Sequence, residues 1–519
     1  MKKVIITFIS LSIGLLASAQ YIYFNNLYEL DNSSFSLSYK VLLRPNLSYL
    51  SVGNVLDYQG TEMLDGTLLR LIDANGNETY RNNVNLIPHA IAGVGILNES
   101  VLELSDHGFA QFHTASNGMQ GYAPLLIRFD SNLDTVWTQR VLLGATPPAG
   151  VHGNHIVSAG LTNISDTSFM MLTFNRWGWS ANPDSLRLRF LTFDYQGNII
   201  ANHIQPIPEY LHAKGIRKLS GDQLIVWGRQ ALLGDYQVFI WKTDLQGNIL
   251  DEVILGNPGS NDSACDDGVG AILVEDNGVL VINLGYCLDD GGFQNMLMKD
   301  HLVFIELDSM DVVNDLEFDL SGDEQLIESM TGVAMVKSLD SNIISVVRIV
   351  DGMNNGKTYI ISTDANGEVI WMNNYASGYS YYAEGLDDIA RAHDGGYIAT
   401  GSSEIILEDF STQRKNWILK IDACGYEQPS GCPAVVGVDE QNPTNIQLWP
   451  NPFYNQLKAV LPQNASRIFI TDMTGRTVMD EKVYFPNQQF DVSQLSKGVY
   501  LFTVVCDDGR VIGQRVVKQ

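Results

Sequence analysis

Positive charge is scarce in this chain of 519 residues: 32 Lys and Arg stand against 59 Asp and Glu, a net charge of −27. Such a chain repels a nucleic-acid backbone and an anionic membrane surface, so neither is expected as a partner. Proline is sparse beside glycine, 16 residues against 46, a balance that suits a turn-rich β protein. Only five cysteines occur, none in the CxxC pairs of a structural zinc site. Beyond the first residues no stretch reaches 18 apolar positions, so no transmembrane helix is expected. Catalytic signatures are missing as well. There is no Gly-x-Ser-x-Gly elbow, no HExxH and no phosphate loop. With so many carboxylates some pair always resembles a glycosidase dyad, so the sequence nominates none. What is present is a globular composition, 45% hydrophobic and 18% charged. The length suits about three ordinary domains.

The N-terminus reads as an export signal covering 1–19. Lys2 and Lys3 form a positive start, Val4 to Leu16 is apolar, and Ala17-Ser18-Ala19 is a small-x-small cleavage site. Export permits disulfides. Cys424 and Cys432 lie eight apart across a loop and can pair. Cys265 and Cys287 flank an expected hairpin and can pair too, which leaves Cys506 over.

An internal repeat organises the middle. An apolar run, an Asp and a short Gly turn recur with anchors at Asp73, Asp130, Asp194, Asp244, Asp308, Asp364 and Asp422. The residue four before each anchor is apolar, from Leu69 to Ile418, and the residue two before is polar in all copies but Leu71. This is a half-buried strand of period two. Gly three after the Asp supplies the positive φ of a hairpin turn. A second strand pair precedes the anchors, clearest at His393-Asp394-Gly395-Gly396-Tyr397. Four short strands in roughly 58 residues, repeated seven times, predict an all-β fold, a seven-bladed β-propeller over 20–428. A β-sandwich needs nearly twice that period. The last unit lacks its outer strand, while Tyr21 to Tyr28 stands alone at the other end and resembles Ile370 to Tyr375. We expect this N-terminal strand to complete the last blade and close the ring, which hides strand edges.

After a Pro/Gly/Gln/Asn-rich linker at 429–444 the pattern changes. Pro450, Asn451 and Pro452 open the segment, Gly475 and Arg476 follow a strand, Leu495 to Tyr500 carries Gly498 and Tyr500, and Lys518 ends it. Residues 445–519 resemble the type A C-terminal sorting domain of the type IX (Por) secretion system of Bacteroidota. Trp449 stands where that family usually has Tyr. The resemblance implies a small β-sandwich that directs export from the periplasm to the cell surface or medium. It implies as partners the type IX secretion machinery and its sorting peptidase. It also implies cleavage, with the passenger released or attached to anionic lipopolysaccharide. Cleavage would remove Cys506 and leave four cysteines. The repeat units also resemble degenerate secreted Bacteroidota propellers, a likeness that implies a fold rather than an activity.

Ligands of propellers sit on loops entering the innermost strands. His89, His155 and His212 fall there in successive units, but at unmatched offsets, so loop histidines are the simpler reading than a metal site. Asp262, Asp266 and Asp267 cluster beside Cys265. Their spacing is not that of an EF-hand, and a solvated acidic loop is the simpler account, with calcium the cation such a cluster would take. No other cofactor is expected. Arg217 and Lys218 are candidate channel residues. The expected function is binding at an unknown extracellular ligand. The alternative is a carbohydrate-active or other hydrolytic enzyme at the channel mouth. A quinoprotein would need a stacking Trp and paired charges that the sequence does not display.

Overall fold

The computed structural model describes residues 23–28, 35–44, 47–59, 62–88, 98–116, 121–141, 154–177, 187–207, 211–232, 235–256, 262–274, 278–289, 296–318, 327–351, 356–364, 366–377, 384–406, 412–427, 447–450, 452–461, 465–472, 477–483, 487–506 and 511–518. The chain divides into two compact units, Met1–Ala434 and Val435–Gln519.

Nearly every described element of the first unit is a strand. β1 is Phe24–Tyr28. The first sheet follows as β2 (Phe35–Arg44), β3 (Ser48–Gln59), β4 (Glu62–Ile72) and β5 (Glu78–Pro88). The second holds β6 (Val101–Glu103), β7 (Phe109–Ser116), β8 (Gly121–Phe129) and β9 (Thr135–Arg140). The third holds β10 (Asn154–Ser165), β11 (Ser168–Trp177), β12 (Arg187–Asp194) and β13 (Ile199–Pro206). The fourth holds β14 (Leu211–Lys218), β15 (Gln223–Leu232), β16 (Asp235–Asp244) and β17 (Ile249–Leu255). The fifth holds β18 (Asp262–Val274), β19 (Val279–Asp289), β20 (Met296–Glu306) and β21 (Val312–Phe318). The sixth holds β22 (Ile327–Lys337), β23 (Ile343–Asp351), β24 (Gly356–Thr363) and β25 (Val369–Tyr375). The last run is β26 (Glu384–Arg391), β27 (Tyr397–Ile406) and β28 (Thr412–Ile421). Within each group the strands pair antiparallel in chain order. Two short parallel bridges, β2 to β28 and β10 to β8, join neighbouring groups into longer sheets.

Period-two alternation explains how the sheets stack. In β19, Leu280 and Ile282 face a core shared with Ile225, Trp227 and Ile240 of the fourth sheet, while Val281 between them faces Ile343, Val347 and Ile361 of the sixth. Each sheet is thus apolar on both faces, and it packs on the sheet before it and the sheet after it. Similar cores join the first sheet to the second, the second to the third, the third to the fourth and the sixth to β26–β28. A further cluster links Ala392, Ile398 and Ile418 to Val41, Tyr49 and Ile72 of the first sheet.

β1 pairs antiparallel with β28, Phe24 opposite Lys420 and Tyr28 opposite Asn416. Its side chains repeat the chemistry of β25. Asn26 and Tyr28 both donate to the Gly76 carbonyl, and the Tyr28 hydroxyl does so at 2.7 Å. Asn373 and Tyr375 of β25 donate to the Gly425 carbonyl in the same way. A Cβ on Gly76 would lie 2.7 Å from the Phe24 ring, and one on Gly425 2.7 Å from the Trp371 ring. The turn glycine therefore supplies positive φ and also seats the turn against the outer strand of the preceding group.

The anchor aspartates hold these turns. Asp73 Oδ1 accepts the Asn75 and Asn77 N–H groups, and Asp130, Asp194, Asp244, Asp364 and Asp422 accept the equivalent pairs. Asp308 departs from the expected repeat. The Glu306 N–H bonds the Asp311 carbonyl and the Met310 N–H bonds the Glu306 carbonyl. This turn is one residue longer, so Glu306 holds the anchor position and Met310 takes the positive φ of 54°. In the Asp130 copy Leu133 takes that role, at φ 70°.

The second unit has two sheets. One orders β29 (Gln447–Trp449), β30 (Gln456–Val460) and β33 (Asn487–Asp491). The other orders β32 (Thr477–Lys482), β31 (Ala465–Asp472), β34 (Gly498–Cys506) and β35 (Val511–Lys518). Leu448, Phe453, Leu457 and Phe490 share a core with Ile468, Ile470, Phe502 and Val504.

Candidate functional site

Antiparallel order gives every sheet two unlike ends. The connections between first and second strands and between third and fourth strands share one end, and these are short turns such as 73–77, 104–108 and 392–396. The other end receives the connections between second and third strands and those from one sheet to the next. Among them are 142–153 and 178–186, whose conformation lies outside the described residues.

Several first strands carry charged side chains that find partners on other groups. In five first strands the register slips by one residue, at Ser38/Lys40, Ser158/Gly160, Ala213/Gly215, Gly332/Ala334 and Leu386/Asp388. A bulge of this kind re-aims the residues beside it. Opposite three of the bulges stand Gly53, Gly228 and Gly401, where a Cβ would collide with the carbonyl oxygen of Leu37, His212 or Gly385. The bulge at Asp387 turns two neighbouring carboxylates to different partners. Asp388 meets Lys40 Nζ at 3.2 Å and accepts the Val41 N–H at 2.9 Å, while Asp387 meets Arg348 at 3.0 Å. Burial raises both carboxyl pKa values, and the facing cations oppose the rise. Arg217 of β14 reaches Glu99 at 2.9 Å, in the 3-10 turn Asn98–Ser100 that leads into β6. Its guanidinium also lies 6.0 Å from the Trp227 ring. Arg44 meets Glu103 and donates to the His107 carbonyl. Lys218 donates its ammonium to the Ile164 carbonyl. These acids and bases neutralise one another in pairs, and a carboxylate held by a cation about 3 Å away is a structural brace before it is a proton donor.

The turn end shows a related device. The polar residue two before the anchor is a buried cation in two copies. Lys420 meets Asp394 at 2.6 Å with both side chains 3% exposed, and Arg128 pairs with Asp106. Asp394 also accepts the Gly396 N–H. The Asp-Gly turn of the second strand pair is therefore tied to the third strand.

His212 is half-buried, tilted on Phe174 at 5.6 Å and 3.5 Å from Arg229. The side chains of His89 and His155 lie outside the described residues. Those of Asp262, Asp266 and Asp267 do too, although their backbone forms the start of β18. The described residues hold no cluster of three or more metal-ligating side chains. Cys265 and Cys287 sit on adjacent strands, Cys287 opposite Ser263, with their side chains outside the described residues. Cys424 carries its sulfur in a disulfide, and Cys432 lies outside the described residues. Sequence reasoning missed His113, buried between the first and second sheets and 2.8 Å from Thr67 Oγ1. Desolvation lowers its pKa to about 4, so it is neutral. A lone His in an apolar run gave no signal of this.

The anchor turns make a pH prediction. Asp194 is held below the usual carboxylate range first by the Asn198 side-chain amide, and Asp364 first by the Glu368 N–H. In Asp73 and Asp244 slight burial pushes upward, but the Asn77 and Asn248 donors outweigh it. A depressed folded pKa contributes stability above the unfolded value of about 4, and that contribution is lost as pH falls through the folded value. Asp387 and Asp388 are raised and act with the opposite sign. Thermal melts should fall as pH drops below about 4, where the turn aspartates take up protons. Asp194→Asn should flatten that acid limb; an unchanged limb counts against the turns as its source.

In the second unit, Lys518 is buried. Its ammonium donates to the Val492 and Ser493 carbonyls, at 2.5 Å and 3.2 Å, and lies 6.0 Å from the Phe453 ring. The Tyr500 hydroxyl donates to the Ser496 carbonyl. Both residues fasten the 491–498 segment to the terminal strands. Gly498 opens β34. Pro450 and Pro452 are exposed, beside exposed Trp449 and Tyr454. Asn451, Gly475 and Arg476 lie outside the described residues.

Residues 447–519 match the family model described as a secretion system C-terminal sorting domain. No curated protein matches the chain. Among solved structures, the β-propeller domain of the trilobed protease from Pyrococcus furiosus is similar at 11% identity, covering 74% of this chain and 94% of that one, with a TM-score of 0.38. Drosophila Semaphorin 1a, extracellular domains 1-2, is similar at 9% identity over 82% and 93%, with a TM-score of 0.40. PorZ, a surface component of the type-IX secretion system of Porphyromonas gingivalis, aligns at 8% identity over 96% and 100%, with a TM-score of 0.15. The matched tail, built from the Pro450, Tyr500 and Lys518 elements just described, makes this chain a type IX secretion substrate, exported to the cell surface or the extracellular space.

Proposed function

We propose that the mature protein is a seven-bladed β-propeller that works outside the cell as a binding module, delivered by a cleavable C-terminal sorting β-sandwich. In this reading the signal covers 1–19, the propeller 20–428 with β1 as the outer strand of the seventh blade, the linker 429–444 and the sorting unit 445–519. Cys424 pairs with Cys432 and Cys265 with Cys287, as expected of an exported chain. A Bacteroidota source follows from the secretion route.

The observation that carries the binding assignment is the inequality of the two ends of the ring. The turn end is spent on holding blades together, through clamped glycines and capped aspartates. The long connections all gather at the other end, which is where a rigid scaffold presents variable surface for recognition. Asp387 and Asp388, with raised pKa values, are the feature that would favour a hydrolase. Each is matched by its own cation, so we assign them to bracing the ring.

The test is saturable binding of the labelled secreted protein to panels of extracellular polysaccharides and proteins. Binding should be lost when 142–153 and 178–186 are replaced by short Gly/Ser linkers, and kept when Asn132 and Gln196 in the opposite turns are changed to Ala. Turnover of a panel member without saturable binding would replace this assignment with the hydrolytic one.

A further inference from the structure

In a chain with 27 more acids than bases, cations normally find carboxylates. Among the described residues, two arginines of β12 do not. Arg189 is only 8% exposed, and its buried Nε has no hydrogen-bond partner among the described residues. Directly across on β11 stands Thr173, fully buried, whose Oγ1 is also without a partner. Two residues before Arg189, Arg187 is exposed at the start of the strand, and alternation puts it on the same side of the sheet. No carboxylate among the described residues balances the pair. Burial is the first cause that lowers the Arg189 pKa, and among the described residues the like charge of Arg187 adds to it.

This side of β12 is the side of Leu191 and Phe193, which pack on Phe112, Leu126 and Val141 of the second sheet. The polar groups therefore sit at the mouth of an apolar wall between two sheets, at the end where the long connections gather. A buried guanidinium left unpaired is costly and calls for an anion. A planar fork beside a hydroxyl donor suits the two oxygens of one oxyanion. The strongly negative net charge of the chain disfavours a polyanion.

We propose that Arg187, Arg189 and Thr173 form a binding site for one oxyanion group, a carboxylate or a sulfate, carried by the extracellular ligand. The site deepens the binding-module assignment and rests on the loop-bearing end being the ligand face. Its source is either a free inorganic ion or an acidic sugar.

The experiment is thermal unfolding and titration calorimetry of the full secreted protein with sodium sulfate and with sodium glucuronate. Sodium chloride at equal ionic strength is the reference. Sulfate or glucuronate should raise the melting midpoint by a few degrees over chloride. Stronger binding of glucuronate identifies a sugar acid as the source, and stronger binding of sulfate identifies the inorganic ion or its ester. Arg189→Met, which suits the apolar wall, should abolish the rise, and the exposed change Arg187→Gln should weaken affinity about tenfold. A rise equal to that in chloride, or the same rise in Arg189→Met, would overturn the site, the latter marking an adventitious ion only. Oxyanion binding that survives while loop replacement leaves polysaccharide binding intact would keep the site and reject the ligand-face assignment. The reverse pattern would reject the site alone.

Discussion

Deletion of residues 21–30 should lower the melting midpoint by on the order of 10 °C and drive the protein into aggregates. β1 buries Phe24 and Tyr28 and fills a cluster shared by the last group of strands and the first sheet. Each buried aromatic contributes about 1.5–3 kcal/mol, and each of the two bonds to the Gly76 carbonyl about 1 kcal/mol. Arg70, fully buried with its guanidinium 4.9 Å from the Tyr28 ring, would lose that face as well. Asn25 would no longer receive the Trp417 indole N–H at 2.7 Å. The sum is a large part of the roughly 5–15 kcal/mol by which a folded domain is stable. Tyr28→Phe keeps the ring and removes only the hydroxyl, and should cost about 1 kcal/mol. Differential scanning calorimetry and light scattering of the two variants give the check. A deletion variant that melts with the full chain would mean that β1 is an appendage rather than the closing strand.

Removal of 447–519 should abolish export altogether, with the truncated chain held in the periplasm and none in the medium or on the surface. Fractionation and intact mass measurement read this directly. For the full chain, the mass of the exported form should lack residues 1–19 and everything beyond a cut in or near 429–444, and a glycolipid-sized increment would mark surface attachment. Export of the truncated chain at the wild-type level would sink the assignment of the tail as the address. Lys518→Met separates address from fold. It removes the ammonium donor of the Val492 and Ser493 carbonyls, of which Val492 keeps the Leu495 N–H, at about 1–3 kcal/mol. Export should fall in step with the lost stability of the second unit.

Much of this architecture was legible in the sequence because turns and strands are local. Asp-x-x-Gly after an alternating run specifies a hairpin without reference to the rest of the chain, and five of the seven copies keep both residues. The pairing of β1 with β28 was foreseeable because Asn26 and Tyr28 repeat the spacing of Asn373 and Tyr375. Asp308 misled because an inserted residue shifts the anchor to Glu306 while leaving an Asp nearby. The site was much less visible. Arg217 was singled out, but its partner Glu99 is 118 residues away. The bulge that separates Asp387 from Asp388 is a register event between two strands, which no single-strand pattern encodes. Gly401 faces that bulge across the sheet, a role set by the neighbouring strand. Arg189 carried no sequence signal, because whether a buried cation has a partner is a property of space, not of sequence.

The β1–β28 pairing also bears on the order of events during synthesis. Its two strands are separated by nearly the whole first unit, so the contact that locks the sheets together is of the longest range the unit contains. Such contacts form late, because the entropy of closing the intervening chain must be met before they reward it. Until Thr412–Ile421 is made, β1 has nowhere to pair and the final sheet has an open edge. The export address comes later still. A chain broken off early therefore lacks both β28 and the sorting tail.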